Sequence, residues 1–297
     1  MNDRTPPVCN YEGSDYQQRF WEEGGRAYED AVERIALKRL LPKNGAFMLE
    51  LGAGAGRNTP RYQRFERVVL VDYSRTQLLQ ARERLGDVGR YVYVAADIYH
   101  LPFVDRLFDA ATMIRTLHHM ADPLLALSQT QRVMRSDGIF ILEFANKRNL
   151  KAILRYILGK QAWNPFSQEP VEFAHLNFDF HPKAVYNYLK VSGFAVEQQL
   201  TVSHFRVGFL KRLIPLRLLV SLDALLQRTG RWLQLSPSVF VRSCVCANDE
   251  FASGAFIFQC PVCGTPLETS ASDLICNHCH TVWPFQDGIY DFRMKME

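Results

Sequence analysis

The sequence predicts an α/β protein with a seven-stranded, mostly parallel sheet, helices on both faces and a small metal-binding β unit near its C-terminal end. Three observations predict this. Short apolar segments alternate with helical ones between residues 46 and 145, a glycine-rich loop follows the first apolar segment, and two cysteine pairs lie between residues 260 and 279. Strands that alternate with helices form right-handed crossover units, which make the sheet parallel and place helices on both of its faces.

The composition is that of an ordinary folded protein. Hydrophobic residues make up 47% and charged residues 22% of the 297 residues, which excludes disordered and fibrous classes. The length exceeds one average domain, so we expect a large domain with an appendage. The net charge of +4 is too small to indicate a nucleic-acid partner. Residues 1–7 contain no apolar run typical of a secretory signal, and we therefore expect a cytoplasmic protein.

The order of elements predicts three parts. Helical spacing over residues 15–41, closed by Pro42, indicates that residues 1–44 form an N-terminal helical lid. Residues 45–248 would form the main domain and residues 255–297 the small β unit. Seven apolar segments have the length and composition of strands, at residues 46–51, 68–71, 91–95, 110–114, 139–142, 193–197 and 238–242.

Residues 205–234 interrupt the main domain before its last strand. Their apolar residues recur at helical spacing, which predicts an amphipathic helical insertion. Pro215 and the cations Lys211, Arg212 and Arg217 make this segment a poor membrane span. It would cover a sheet face or substrate cleft, or it would make weak contact with a lipid surface.

The glycine loop indicates a nucleotide-like ligand. Gly52, Gly54 and Gly56 follow the first strand, where glycine permits positive φ and close approach of the backbone to a ligand. In the dinucleotide fingerprint the third glycine comes three positions after the second, at the position that Arg57 occupies here. This spacing argues against NAD.

Three carboxylates are predicted to converge beside this loop. Glu50 lies near the end of the first predicted strand, Asp72 directly follows the second, and Asp97 follows the third. Carboxyl ends of parallel strands share one edge of a sheet, where ligands bind, and an acid about 20 residues beyond the loop suits ribose hydroxyls. A single acid after a strand is as often a helix cap, but three in order behind a glycine loop indicate one cleft.

These segments together resemble the class I S-adenosylmethionine-dependent methyltransferases, in particular their small-molecule and quinone branch. The resemblance covers residues 45–145 and implies a Rossmann-like fold with S-adenosyl-L-methionine as the cofactor. It implies that the three glycines approach the methionine and sugar portions of the cofactor. It also implies that Asp72, beside Tyr73, holds the ribose hydroxyls and that Asp97 and Ile98 bracket the adenine. The segments that carry it are 50–56, 71–74, 96–97, 101–103, 108–110, 117–123 and 132–138.

Two further features depend on the resemblance. His118 and His119 follow the fourth strand, which this superfamily directs at the methyl group, so either would serve as a base where the acceptor carries a proton. Alternatively, one packs on the cofactor and the other caps a helix. The N-terminal segment resembles the lids of this branch, which implies that Arg26 meets the methionine carboxylate and Tyr28 lines the pocket. An ordinary amphipathic helix remains the alternative there.

The cysteine pairs predict a structural zinc site. Cys260 and Cys263, and Cys276 and Cys279, each enclose two residues, a spacing that turns both thiolates of a pair towards one ion. Four thiolates close a tetrahedral site and leave His278 without a ligand role. Residues 258–264, 274–276 and 283–289 resemble the zinc ribbons of small methyltransferase-activating proteins and of some rRNA methyltransferases.

Three functions follow as expectations. The first is methyl transfer to a small or lipid-like acceptor, with residues 147–234 forming its pocket. The second is RNA or protein methylation with the ribbon docking the macromolecule, although residues 260–290 contain no lysine or arginine. The third is a non-catalytic scaffold built on a cofactor-binding fold, which the intact glycine and aspartate set disfavours.

Overall fold

A nine-stranded sheet forms the centre of the molecule. The structure is a computed structural model and describes residues 6–14, 21, 23–86, 89–246, 257–268, 270 and 272–294. Most of the predicted helical segment before residue 23 lies outside the described residues. The first nine strands of the chain are β1 (Gly45–Leu51), β2 (Phe65–Asp72), β3 (Tyr91–Ala95), β4 (Phe108–Met113), β5 (Met134–Ala145), β6 (Val171–Ala174), β7 (Asn177–Asp179), β8 (Phe194–Val202) and β9 (Ser238–Val245).

Seven of these strands form the predicted sheet, in the order β3-β2-β1-β4-β5-β9-β8. The first five are parallel, and β9 runs antiparallel to both β5 and β8. The strands β6 and β7 form a separate hairpin. The prediction of an α/β fold with a mostly parallel sheet is therefore confirmed.

Helices cover both faces of the sheet. On one face α1 and α2 pack with part of α7, and on the other α3 and α5 cover the core. Two of these helices begin at capping side chains. Ser74 accepts a hydrogen bond from the N–H of Gln77 at the start of α2, and Asp122, which precedes Pro123, accepts one from the N–H of Leu125 at the start of α3. The helices are α1 (Ala27–Leu40), α2 (Arg75–Leu85), α3 (Pro123–Val133), α4 (Leu150–Ile157), α5 (Pro182–Val191), α6 (Gly208–Leu213) and α7 (Leu216–Leu226).

The C-terminal segment extends the same sheet. Two short hairpins carry the cysteines, and a third places its second strand parallel to β3, where Ile289 pairs with Tyr93 and Asp291 with Ala95. The sequence did not predict this pairing, because the edge of β3 becomes available only when the sheet is assembled. The strands of this segment are β10 (Phe258–Gln259), β11 (Pro266–Leu267), β12 (Leu274–Ile275), β13 (Val282–Trp283), β14 (Phe285–Gln286) and β15 (Ile289–Asp291).

The core of this segment is continuous with that of the large domain. The Phe258 ring stacks on Phe103, with 5.8 Å between their centroids, and Phe292 and Trp283 belong to the same buried cluster. Within the described ranges, none of the helices has the length and apolar character required to cross a bilayer.

Candidate active site

A cavity of about 950 Å³, its open mouth included, lies at the carboxyl ends of β1 to β4. The loops after these strands meet there because parallel strands end on one edge of the sheet. The N-terminal segment closes it from the other side through Val8, Cys9, Tyr11 and Trp21. The loop residues in its wall are 52–55, 57–58, 72–73, 96–99, 114–116 and 119–120, together with Gln77 of α2.

The three glycines of the loop have positive φ but different surroundings. A Cβ at Gly52 would overlap the side chain of Thr116, so only glycine lets the chain turn there. Gly54 has open space beside it and lines the cavity. At Gly56 a Cβ would lie 2.9 Å from Cδ1 of Leu85, and this residue is not in the cavity wall. Gly56 therefore permits close packing of α2, whereas Gly52 and Gly54 shape the pocket.

Asp72 is held by the backbone of two loops. Its Oδ2 accepts a hydrogen bond from the N–H of Gly54 at 2.8 Å and its Oδ1 one from Ser74 at 2.9 Å. Burial raises the pKa of this carboxyl, and the two N–H donors oppose that change. A carboxylate has about four acceptor positions, so two remain for hydroxyl donors from the cavity. Tyr73, beside it, also lines the wall.

Asp97 and Ile98 lie on the neighbouring loop after β3. Oδ1 of Asp97 accepts a hydrogen bond from the N–H of Tyr99 at 2.9 Å and so caps a short 3-10 helix. Both residues are buried and line the cavity beside Tyr99. The structure thus brings Asp72, Tyr73, Asp97 and Ile98 together, in one wall with Gly52 and Gly54.

Two residues expected at the cofactor lie elsewhere. Glu50 is buried behind the glycine loop, where it accepts hydrogen bonds from Thr59 at 2.6 Å and Tyr62 at 3.4 Å. Burial raises its pKa to about 7. Arg26 precedes α1, pairs with Glu29 at 3.5 Å and is not in the cavity wall. Tyr28 is likewise buried away from the cavity, where it donates to Asp223 at 2.6 Å.

The two histidines after β4 have different surroundings. Nδ1 of His119 lies 3.0 Å from the carbonyl oxygen of Leu176 and donates to it, so that Nε2, 3.2 Å from the Tyr11 hydroxyl, accepts. Both nitrogens of this ring are therefore engaged. His118 is half-buried with its ring 4.0 Å from that of His119, and burial together with His119 and Arg115 lowers its pKa well below the usual value.

An arginine–tryptophan cluster in the wall was not predicted. Trp21 contacts two guanidinium groups, with 3.5 Å from its ring centroid to Arg57 and 4.9 Å to Arg115. Both arginines bond to the buried Glu33. Burial alone would raise the pKa of Glu33, but Arg115 and Arg57 lower it to about 2. The one sequence signal for this cluster was the position of Arg57 directly after the glycines. Arg115 has a positive φ of 56°, a backbone conformation that brings its side chain into the cluster.

A second group of ionisable side chains lies beside the histidines, towards β7 and α6. Asp179 ends β7, which packs on the turn that carries His118 and His119. Burial raises the pKa of Asp179 to about 6, Arg206 opposes that change and the buried Glu143 adds to it. Among the described residues none donates a hydrogen bond to the Asp179 carboxylate. We name this group the acceptor cluster (His118, Glu143, Asp179 and Arg206); its members do not line the cavity, but it adjoins the wall through His118, the neighbour of His119.

The four predicted zinc ligands converge. Sγ of Cys263 lies 3.4 Å from that of Cys276 and 3.6 Å from that of Cys279, and Cys260 lies 3.6 Å from Cys279. A tetrahedral site with Zn–S bonds of about 2.3 Å needs sulfur atoms about 3.8 Å apart, so the cluster is suitable for that ion. All four atoms lie within 4.8 Å of one another, and His278 and His280 do not belong to the cluster.

Each cysteine pair forms the same turn. The N–H of Gly264 donates to the carbonyl of Cys260 at 2.8 Å, and the N–H of His280 donates to that of Cys276 at 2.9 Å. Gly264 and His280 both have positive φ, and a threonine follows each. The two turns therefore have the same backbone hydrogen bond, and both direct their thiols towards one point.

Comparisons with known proteins agree with this geometry. Residues 49–142 match the family model described as "Methyltransferase domain". A ubiquinone/menaquinone biosynthesis C-methyltransferase of Saccharophagus degradans is 33% identical over 115 residues, which cover 36% of this chain and 46% of that protein. A 27-O-demethylrifamycin SV methyltransferase of Amycolatopsis mediterranei is 30% identical over 134 residues, covering 42% and 49%. The chain spans about half the length of these curated relatives.

A solved structure shares the fold over a longer range. One chain of a complex between the Haloferax volcanii Trm112 methyltransferase activator and a methyltransferase superposes with a TM-score of 0.55 at 14% identity, covering 78% of this chain and 96% of that one. Residues 49–142 thus match a methyltransferase domain model, and they carry the parallel strands and the pocket expected for a class I methyltransferase. The particular branch that the relatives represent is that of quinone and small-molecule methyltransferases, so the predicted resemblance is confirmed.

Proposed function

We propose that this chain transfers the methyl group of S-adenosylmethionine to a small or lipid-like acceptor. The observation that carries the proposal is the cavity in which Gly52, Gly54, Asp72 and Asp97 share one wall. This wall suits a ligand with ribose hydroxyls and an adenine ring. The quinone and small-molecule methyltransferases among the relatives support an acceptor of the same kind.

The N-terminal segment would act as the lid over the cofactor. Val8, Cys9, Tyr11 and Trp21 line the cavity, which supports a lid function for residues 1–44. Arg57 and Arg115 both bond to Glu33, but they also line the cavity, and we therefore assign the methionine carboxylate to them in preference to Arg26.

Bound S-adenosylmethionine would supply a methyl group already activated on a sulfonium. Transfer is an in-line displacement, so the main task of the protein is to align the acceptor atom with the methyl carbon and to exclude water. Where the acceptor is a phenol or an enol, its proton must also be removed. We assign this step to the acceptor cluster, which lies beside the turn after β4.

We propose His118 or Asp179 as that base and assign His119 a positioning role. The low pKa of His118 keeps its imidazole neutral near pH 7, and the pKa of Asp179 near 6 leaves its carboxylate mostly ionised there. Both states accept a proton. His119, engaged at both ring nitrogens, would hold the loop after β4 against Tyr11 and Leu176.

The cysteine cluster would hold zinc as a structural ion. Four thiolates leave no open coordination position, which excludes a direct part for such an ion in the reaction. Zinc would stabilise the C-terminal segment, whose strands are only two or three residues long. Thiolate ligands persist in a reducing compartment, which is consistent with the predicted cytoplasmic location.

Residues 205–234 would contribute to a lipid-like acceptor site through weak contact with a membrane surface. The exposed apolar residues of α6 and α7 support this proposal. The two other functions considered from the sequence have less support. The C-terminal segment offers no cationic surface to RNA between residues 260 and 290, and a scaffold role would leave the pocket unexplained.

Calorimetric titration of the zinc-loaded protein with S-adenosylhomocysteine, beside NADH, tests the cofactor assignment. We expect micromolar binding of the first and none of the second. Turnover is then measured with methyl-labelled S-adenosylmethionine and a panel of phenols and reduced naphthoquinols, each with and without an isoprenoid tail. Failure of S-adenosylhomocysteine to bind would contradict the proposal and favour the scaffold function.

A further inference from the structure

Two helices that follow β5 and β8, α4 and α6, expose apolar side chains. In α4 only Ala152 is buried, and Ile157 is 69% exposed; in α6 no residue is buried, and Phe209 is 67% exposed. Exposed apolar side chains that group at one edge of a folded protein are typical of an interaction site. We name this surface the apolar rim and define it by Leu150, Leu154, Ile157, Phe209, Leu213 and Leu216.

Strand register places these helices on the same edge as the cofactor cavity. Ala145 at the end of β5 and Val202 at the end of β8 both pair with Ser238 of β9, the strand between them. The helices α4 and α6 therefore leave the sheet at its carboxyl edge, where the cavity lies. The N–H of Leu150 donates to the carbonyl of Leu235 at 2.9 Å, which fixes the start of α4 beside the segment that returns from α7.

The charges around the apolar rim are of one sign. Residues 148–168 contain four cations and residues 203–222 contain four, while neither segment contains an aspartate or a glutamate. Lys211 pairs with the buried Glu29. Lys151, Arg155, Arg212 and Arg217 are exposed on the same helices as the apolar side chains.

We propose that the apolar rim docks this protein on an anionic lipid bilayer, with the acceptor side of the pocket facing the membrane. Amphipathic helices whose apolar residues are flanked by lysine and arginine bind at the boundary between headgroups and acyl chains. Anionic headgroups complement the cations, whereas a second copy of this chain would bring the same positive charge to the contact. The inference rests on the proposed function, since it gives the lipid-like acceptor a source beside the pocket.

Sedimentation with vesicles tests the docking. The 297-residue, zinc-loaded chain is mixed with vesicles of phosphatidylcholine alone or of phosphatidylcholine with a quarter phosphatidylglycerol, in low and high salt. We expect binding to the anionic vesicles to be at least about tenfold tighter and to weaken with salt, since each cation near such a surface contributes about fivefold. Leu154→Gln with Ile157→Gln should reduce this binding about tenfold or more.

Matched variants separate apolar from electrostatic contributions. Lys151→Glu with Arg155→Glu should abolish the preference for anionic vesicles. Val191→Gln with Ile275→Gln changes two residues that are 66% and 59% exposed outside the rim and should leave binding unchanged. Equal binding to neutral and anionic vesicles, or binding that the rim variants do not alter, would overturn the proposal.

Two further measurements keep the proposals distinct. If sedimentation equilibrium shows a dimer that Leu154→Gln with Ile157→Gln dissociates, the rim is a contact between copies and the docking is rejected. S-adenosylhomocysteine titration of the same samples without vesicles reports on the pocket alone. Cofactor binding without vesicle binding would reject only the docking, and vesicle binding without cofactor binding would reject only the proposed function.

Discussion

The two sides of the carboxyl edge are built differently. On the cofactor side, backbone N–H groups and short loops hold Asp72 and Asp97, and the wall is covered by buried residues of the large core. On the acceptor side, half-buried ionisable groups such as Asp179 lie beside the turn of His118 and His119, and the helices that leave this edge of the sheet expose apolar side chains. Backbone geometry is sufficient to shape a site for a cofactor, which is the same in every reaction. A site for a particular acceptor depends on side chains from distant segments.

The C-terminal segment sharpens this contrast, because its described residues contact the cofactor side. The N–H of Phe292 donates to the carbonyl of Ala95 at 2.7 Å, one residue before the loop that carries Asp97. Arg293 lies 3.1 Å from Glu12 and over the Tyr73 ring, 5.9 Å from its centroid. The fold of the cysteine segment and the shape of the cofactor wall should therefore be coupled.

Metal removal should give the largest effect. Chelation, or Cys279→Ser, would cost the C-terminal segment on the order of 10 kcal/mol of metal-binding free energy and unfold it. With β15 lost, we expect a lower melting temperature and a dissociation constant for S-adenosylhomocysteine raised by roughly tenfold or more. Metal analysis, calorimetric unfolding and titration measure these changes.

Cys246→Ser provides the control, since this thiol is exposed and lies outside the cluster. Vesicle binding through the apolar rim should survive chelation. Full cofactor affinity in the metal-free protein would show that the two regions are independent.

Replacement of the proposed base should affect the acceptor side alone. If Asp179 removes the proton, Asp179→Asn should lower kcat by about 10² to 10⁴-fold while S-adenosylhomocysteine binds as before. In the parent protein the rate should rise as the pH increases through about 6, because the ionised carboxylate is the active form. Asp179→Asn should lose this rise of the rate with pH. If the rise persists in Asp179→Asn and disappears in His118→Gln, the base is the histidine.

Asp72→Ala tests the cofactor side. Loss of the hydrogen bonds to the ribose hydroxyls should weaken S-adenosylhomocysteine binding by about 1 to 3 kcal/mol. Calorimetric titration measures it, and Asp105→Ala is the control because that exposed carboxylate pairs with Arg132 away from the pocket. Equal affinities for the two variants would remove Asp72 from the site.

The last effect expected is a pH dependence of stability from Glu50. Its folded pKa of about 7 lies above the ordinary value of 4.5, so its protonated form stabilises the fold. That contribution is complete below about pH 4.5 and is lost as the pH rises through 7, by at most about 1.4 kcal/mol per pH unit. Urea unfolding from pH 5 to 8 should show this decline in the parent and a flatter profile in Glu50→Gln. Glu66→Gln, at an exposed position in β2, should retain the parent slope.

Much of the fold was predictable because its signals are local. Near-continuous apolar runs such as Val68–Val71 are typical of strands buried on both faces, and their alternation with helices predicts the parallel sheet. The order of Asp72 and Asp97 behind the glycine loop was sufficient to place them on one edge. The prediction for Glu50 did not anticipate its surroundings, since Thr59 and Tyr62 bond to it behind the loop.

The spacing of residues along the sequence by itself determined the sheet, the glycine turn and the converging thiols. Each of these depends on contacts between residues close in sequence or on the periodicity of one element. Only the tertiary structure decided which arginines flank Trp21, where Asp179 lies and which edge receives β15. These contacts join residues separated by tens to hundreds of positions, and the packing of the whole sheet brings them together. No local pattern in the sequence predicts contacts between residues so far apart along the chain.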